Sequence, residues 1–309
     1  MQANEPPYVA ILLSVFDGDR FIDAQLDSIA AQRGVRWSLT WRDDGSDPRR
    51  SCVGRMAAFQ ARFPGQVFPL PEGRIGVGGS YMTLLAQAPD ASYVAFADQD
   101  DVWLPDKLSR AVSRLKGIAE PALYCGRQSL VDADLTPIAL SAVPPRPLGF
   151  ANALVQNMAT GCTMVLNRAA RDAVLEMPPP EGTLHDWWCY IVVAGVGGRL
   201  IYDREPFILY RQHDRNVVGS TGGQVTRAIR ALRRGPGPFI DSLNRHLHRL
   251  ETYRDRLTPE NRAILDAVKA ARVAPLPRRL GAVLNAGVYR QGSAEDLMLR
   301  AWLLLRPER

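Results

Sequence analysis

A chain of 309 residues that is 46% hydrophobic and 23% charged can bury a large core, which argues against a disordered protein or one needing cross-links to fold. Its net charge of +6 is uneven: residues 211–309 carry 19 Lys+Arg against 9 Asp+Glu, whereas residues 1–210 are net acidic. Four scattered cysteines, with no CxxC and no Cys/His cluster, argue against a zinc site or disulfide framework and suit a reducing cytosol.

The N-terminus lacks a basic leader, and no stretch approaches the roughly 18 apolar residues of a spanning helix. The expectation is a cytoplasmic protein, soluble or held peripherally at the inner face of the plasma membrane. The first apolar run, YVAILLSVF (8–16), suits a strand buried on both faces of a parallel sheet. A helix over 19–32 follows, with Phe21, Ile22, Leu26, Ile29 and Ala30 at helical spacing. WSLTWRDDGSD (37–47) reads as a second strand ending in an acidic Gly turn. SCVGRMAAFQARF reads as a helix, QVFPL as a short strand, GGSYMTLLAQA as a helix and SYVAFADQDD as a strand end. PDKLSRAVSRLKG then opens a helix with Pro at its start. Such alternation predicts an α/β fold with a mostly parallel, doubly wound sheet.

From 120 to 210 the pattern loosens. ALYCGRQSLVD and GCTMVLNR read as strands, a helix begins near Asp186, and RLIYDREPFILYRQH holds two further short strands. Beyond 220 the chain is Arg-rich and helical, and Ile240, Leu243, Leu247, Leu250 and Leu257 form one apolar stripe.

Ligands of doubly wound sheets bind beyond the carboxyl ends of the strands. Three such loops, 14–19, 43–48 and 98–103, all carry carboxylates. Asp98, Asp100 and Asp101 do not form a calcium EF-hand loop, because Trp103 stands where Gly is needed and Ser109 where Glu is needed. A Mn2+ or Mg2+ ion carrying a phosphate fits three acids at the end of a buried strand better. The plainer alternative makes one of them, Asp101, the cap of the next helix. Taken alone, Asp43 and Asp44 read as a solvated acidic Gly-Ser turn; beside a metal-diphosphate site they are placed to accept hydrogen bonds from a base or ribose. Gly76, Gly78 and Gly79 suggest a phosphate-cradling turn beside Arg74, although neither GxGxxG nor a P-loop is present. In LHDWW, either Asp186 is a helix cap with Trp187 and Trp188 in the core, or it is a general base framed by those rings. Arg211 and His213 of YRQH are candidates for a leaving diphosphate or, for His213, a metal ligand or a core histidine.

LLSVFDGDRFIDAQLDSI, RDDGS, ADQDDVWLPDKL, HDWW and LYRQH, in this order, resemble the inverting family 2 glycosyltransferases of GT-A fold. The likeness covers residues 8–220 and is nearest to bacterial rhamnosyltransferase-like members of polysaccharide and O-antigen clusters. It implies a nucleotide-sugar half (1–117), an acceptor half (118–220) and a basic helical region (221–309). By that resemblance Asp43 and Asp44 read the base, Ser14 and Phe16 lie under the nucleotide, and Arg74 stands beside it. Asp98 and Asp100 are the DxD pair on ribose and metal, with His213 a further metal or diphosphate ligand beside Arg211. Asp186 is the base, and Trp187, Trp188, Thr160 and Gly161 shape the acceptor side. The implied cofactor is Mn2+ or Mg2+, the donor dTDP- or UDP-linked, and the acceptor a glycan or lipid-linked glycan. The sequence departs from the family at Phe16-Asp17, where Tyr-Asn is usual, and at Arg74, where Asn is common.

A sugar-phosphate nucleotidyltransferase shares such a sheet but would carry a basic Gly-rich loop after its first strand, which SVFDGDRF lacks. A non-catalytic scaffold for a membrane or partner is the other alternative. The basic helix expected over 224–234 suits an anionic leaflet or a homodimer interface equally, and no nucleic-acid partner is expected.

Overall fold

The computed structural model describes residues 5–213 and 235–305. Its first half alternates as expected: β1 (Tyr8–Val15), α1 (Ile22–Ala30), β2 (Arg36–Asp43), α2 (Cys52–Arg62), β3 (Val67–Pro69), α3 (Gly76–Gln87) and β4 (Tyr93–Ala97). After β5 (Val102–Trp103) and α4 (Lys107–Leu115) come β6 (Ala122–Gly126), β7 (Ser129–Val131), β8 (Pro137–Leu140), α5 (Phe150–Ala153), β9 (Val165–Asn167), α6 (Arg168–Glu176), α7 (His185–Gly195), β10 (Arg199–Asp203) and β11 (Ile208–Arg211).

β1 is apolar throughout because it lies between parallel neighbours, β2 and β4, with cores on both faces. Val9, Ile11, Leu13 and Val15 enter one core, while Ala10 and Leu12 enter the other. The seven strands run β10-β6-β9-β4-β1-β2-β3, and β9 is antiparallel to both β4 and β6. Register does the functional placing: Val15 pairs Asp43 and Leu13 pairs Ala97, so the loops after β1, β2 and β4 share one edge.

A second sheet, β5-β11-β7-β8, stands beside that edge. Antiparallel pairing of Leu209 with Val102 brings the 211–213 segment back onto the acidic loop. A two-residue strand such as β5 carries no period to detect, so only its partner reveals it.

Among the described residues that follow, four helices form: α8 (Gly237–Thr252), α9 (Pro259–Val273), α10 (Leu276–Asn285) and α11 (Ser293–Leu305). Pro stands in the first turn of α8, α9 and α10, where its missing N–H costs nothing. The stripe Ile240, Leu243, Leu247, Leu250 and Leu257 is buried in the same core as Trp188 and Ile191 of α7. No helix among the described residues is long and apolar enough to cross a membrane. The basic helix expected over 224–234 lies outside the described residues.

Candidate active site

The nucleotide side is built on the ends of β1 and β2. Ser14 and Ser80 share a 2.7 Å hydroxyl hydrogen bond. Arg42 Nη1 donates to Ser80 Oγ and Asp44 Oδ1, both at 3.0 Å, and its Nη2 donates to the Gly73 carbonyl at 2.6 Å. Asp44 Oδ1 also accepts the Ile75 N–H at 2.9 Å, so one buried ion pair moors the loop before α3. Asp43 accepts the Ser46 backbone N–H at 3.1 Å and its hydroxyl at 2.5 Å.

The extra acid at Asp17 has a structural use: with φ at +49° it takes the Asp47 N–H at 2.9 Å. Gln99 holds Phe16 from both sides, accepting its N–H at 2.9 Å and donating to its carbonyl at 2.7 Å. The Phe16 ring, 40% exposed, carries the Arg74 guanidinium 5.2 Å from its centroid. The glycines expected to cradle phosphate form the first turn of α3. A Cβ at Gly78 would fall 2.4 Å from the Thr183 carbonyl oxygen, so this glycine permits close packing against the loop before α7.

The acidic loop is divided in depth. Tyr81 donates to Asp98 Oδ1 at 2.9 Å, and burial followed by the Asp100 charge pushes the Asp98 carboxyl up to about 7. Asp100 Oδ2 meets His213 Nε2 at 2.7 Å, and the His213 ring stacks on Phe21 at 5.1 Å. Asp101 is fully buried and accepts the Arg211 N–H at 3.1 Å. Its other oxygen has no N–H or O–H partner among the described residues. Asp101 caps nothing: α4 starts after Asp106, beyond the Leu104–Asp106 turn.

Arg211 corrects an expectation. Only 4% exposed, it donates to the backbone carbonyls of Asp100 (2.8 Å) and Ala133 (2.5 Å), bracing the acidic loop from within. The resemblance implies a place for it over the diphosphate, whereas its burial and these bonds set it beneath the acidic loop. Lys107 went unnoticed in the sequence. Its buried ammonium lies 3.6 Å from the Trp103 ring centroid, and burial lowers its pKa to about 7. The charges of Asp101 and Asp98 act on it, which makes it an internal counter-charge beneath the cluster.

Donor atoms of Asp98, Asp101 and Cys162 all lie within 4.8 Å of one another. Burial and the two acids push the Cys162 thiol well up, and a thiol ligates poorly until it ionises. The donors that fit a hard divalent ion are therefore carboxylates.

Asp186 lies in the first turn of α7. Its oxygens accept the Trp187 N–H at 2.6 Å and the Gly161 N–H at 3.1 Å, and the Asn157 side chain supports it. Burial outweighs these bonds, so its carboxyl is raised above the ordinary range. Thr160 closes the adjoining turn, its carbonyl accepting from the Thr163 N–H at 3.0 Å and hydroxyl at 2.8 Å. Trp187 is half-buried and donates to the Ala153 carbonyl at 2.7 Å. Trp188, expected on the acceptor side, is 0% exposed and donates to the Met177 carbonyl inside the core. Adjacent helical residues point about 100° apart, so both rings cannot face one site. One aromatic contact links the two carboxylate stations: the ring of Tyr81, which serves Asp98, lies 4.0 Å from His185, the neighbour of Asp186.

A sheet of this order with carboxylates at its edge defines a class, the GT-A glycosyltransferases. A family model described as glycosyl transferase family 2 matches residues 11–174, over half of the chain, and the protein belongs to that family. It is a glycosyltransferase, and inversion at the anomeric carbon is general in the family. The dTDP-rhamnosyl transferase RfbG of Shigella flexneri is 27% identical over 67% of this chain and 74% of its own length. The UDP-Glc:alpha-D-GlcNAc-diphosphoundecaprenol beta-1,3-glucosyltransferase WfgD of Escherichia coli is 26% identical over 52% of this chain and 60% of its own. In fold the chain is similar to the mannosyltransferase PcManGT of Pyrobaculum calidifontis, solved with GDP-Man and Mn2+. The TM-score there is 0.53, with 19% identity, over 97% of this chain and 86% of that one.

Proposed function

We propose that this chain moves a sugar, L-rhamnose from a dTDP donor in the first instance, onto a hydroxyl of a glycan or lipid-linked glycan during bacterial surface polysaccharide synthesis. The observation that carries this reading is the pair of carboxylate stations: Asp98 and Asp100 at the end of β4, and Asp186 at the start of α7, joined through Tyr81 and His185. The name of the Shigella relative supports the donor, and that of the Escherichia coli relative supports a lipid-linked acceptor.

Asp98 and Asp100, with His213 beside them, would hold a Mn2+ or Mg2+ ion, which neutralises charge on a leaving diphosphate. Phe16 and Arg74 offer an exposed ring and cation beside the nucleotide, above Asp43 and Asp44. Asp186 takes the acceptor hydroxyl proton as the new C1–O bond forms on the face opposite the breaking C1–O phosphate bond. Its raised carboxyl makes it a stronger base than an exposed aspartate. One displacement inverts the anomeric carbon.

Nucleotide release from dTDP-L-rhamnose, UDP-glucose and GDP-mannose, each with Mn2+, Mg2+ or EDTA, tests the reading. The expected result is cation-dependent turnover of dTDP-L-rhamnose above the others. Turnover of none of them, or turnover indifferent to EDTA, would contradict it.

A further inference from the structure

Residues 289–296, between α10 and the body of α11, lie far along the chain from every catalytic candidate and beyond the span that the family model matches. They are nevertheless tied into the loop that leads to Asp186. Gln156 is the knot: it donates to Glu295 Oε2 at 3.0 Å and accepts the Gln291 N–H at 2.7 Å. The Gln291 side chain donates to Asn152 Oδ1 at 3.3 Å, and Asn152 donates to the Tyr289 carbonyl at 2.9 Å. Arg290 donates to the Val155 carbonyl at 3.1 Å.

The clamped loop touches α7 at three successive levels. Tyr190 donates to Asn152 Oδ1 at 2.9 Å, Trp187 to the Ala153 carbonyl at 2.7 Å, and Asn157 supports the Asp186 carboxylate. The same stretch runs on through Asn157 to Gly161, whose N–H binds Asp186 Oδ2 at 3.1 Å, so slack at the knot reaches the base along a few residues of chain. A polar network that is half-buried at Gln156 and Glu295 and buried at Asn152, with these members paired, resists local movement, and loss of one member loosens the rest.

We propose that residues 289–296 are an acceptor-side positioning element: by holding Gln156 and Asn152 they set where Asp186 and Trp187 stand, and so govern transfer without governing donor binding. The inference deepens the proposed function and rests on Asp186 being the base. Displacement of a catalytic group by about 1 Å costs up to roughly 10²-fold in rate, although the substituted residue is remote from the chemistry.

The test compares wild type with Gln156→Ala, Glu295→Ala and Glu295→Gln in the full chain. The probes are dTDP-L-rhamnose with Mn2+ and a synthetic GlcNAc-diphosphate lipid, together with calorimetric binding of dTDP–Mn2+ and hydrogen exchange of residues 157–163 and 184–190. The expected result for both alanine variants is a loss of roughly 10- to 100-fold in kcat/KM for the acceptor. Binding of dTDP–Mn2+ stays within about twofold of wild type, exchange quickens at 157–163 and 184–190, and Glu295→Gln restores acceptor kinetics because its amide oxygen still accepts from Gln156. Unchanged acceptor kinetics and exchange in both alanine variants would overturn the proposal, as would an equal fall in donor binding. If wild type turns over no donor, the proposed function fails, and hydrogen exchange alone decides the clamp by the same criterion.

Discussion

Gly161 gives the candidate base its place by having no side chain. Its N–H binds Asp186 Oδ2 at 3.1 Å, and a Cβ added there would lie 2.8 Å from His185 Nε2 and 3.4 Å from the Asp186 Cβ. Gly161→Ala must therefore displace the buried His185 ring beside the candidate base, a strain of about 1–3 kcal/mol. The expected outcome is a lower urea midpoint together with a transfer rate depressed well beyond the loss of folded protein. A variant as active and as stable as wild type would show that Asp186 does not depend on this contact. The acids at 98–101 illustrate what residue identity alone conveys. Their clustering at a strand end was legible, but their division was not. Lys107 reads in the sequence as an ordinary helix lysine, and only packing against Trp103 reveals a buried cation.

The C-terminal helices share a core with α7. His246 of α8 is fully buried, lies 4.9 Å from the Trp187 ring, and shares a 3.2 Å hydrogen bond with Thr183 just before α7. Burial lowers the pKa of His185 to about 3, and burial followed by Arg245 lowers that of His246 to about 4. Both are neutral in the fold, whereas in the unfolded chain they protonate near pH 6.5. Their contribution to stability is complete above that pH and is lost as pH falls toward the folded values. Asp98 has the opposite sign, because its raised carboxyl takes up a proton in the fold before it does in the unfolded chain. The clean measurement is thus a difference: the urea midpoint of wild type minus that of His185→Phe, expected to fall between pH 7.5 and pH 5. A flat difference would mean that His185 is charged in the fold.

At this scale the sequence was most legible where period and length were strong, as in β1, β2, α3 and the α8 stripe. It was least legible in β5 and β8, and in the split of one expected strand into β6 and β7. For β9 and β11 the strands were legible but their partners were not. Antiparallel β9 is three residues long, so its direction follows from its neighbours β4 and β6 and from no pattern of its own.

Across the molecule, the parallel register of β1, β2 and β4 gathers carboxylates on one edge, and the second sheet returns His213 to them. Such a concentration of acid opposes folding until a cation arrives. Mn2+ at about 100 times its Kd is expected to add about 2.7 kcal/mol of stability, seen as a higher melting temperature that EDTA reverses. Asp100→Asn should abolish that rise; a rise of equal size in the variant would place the ion elsewhere. The central claim is that the two carboxylate stations have different tasks, and one measurement separates them. Calorimetric binding of dTDP–Mn2+ is set beside dTDP-L-rhamnose turnover for wild type, Asp100→Asn and Asp186→Asn. The account predicts that Asp100→Asn loses both binding and turnover, while Asp186→Asn binds as wild type and turns over about 10²- to 10⁴-fold more slowly. Full turnover by Asp186→Asn, or undiminished Mn2+-dependent binding by Asp100→Asn, would contradict it.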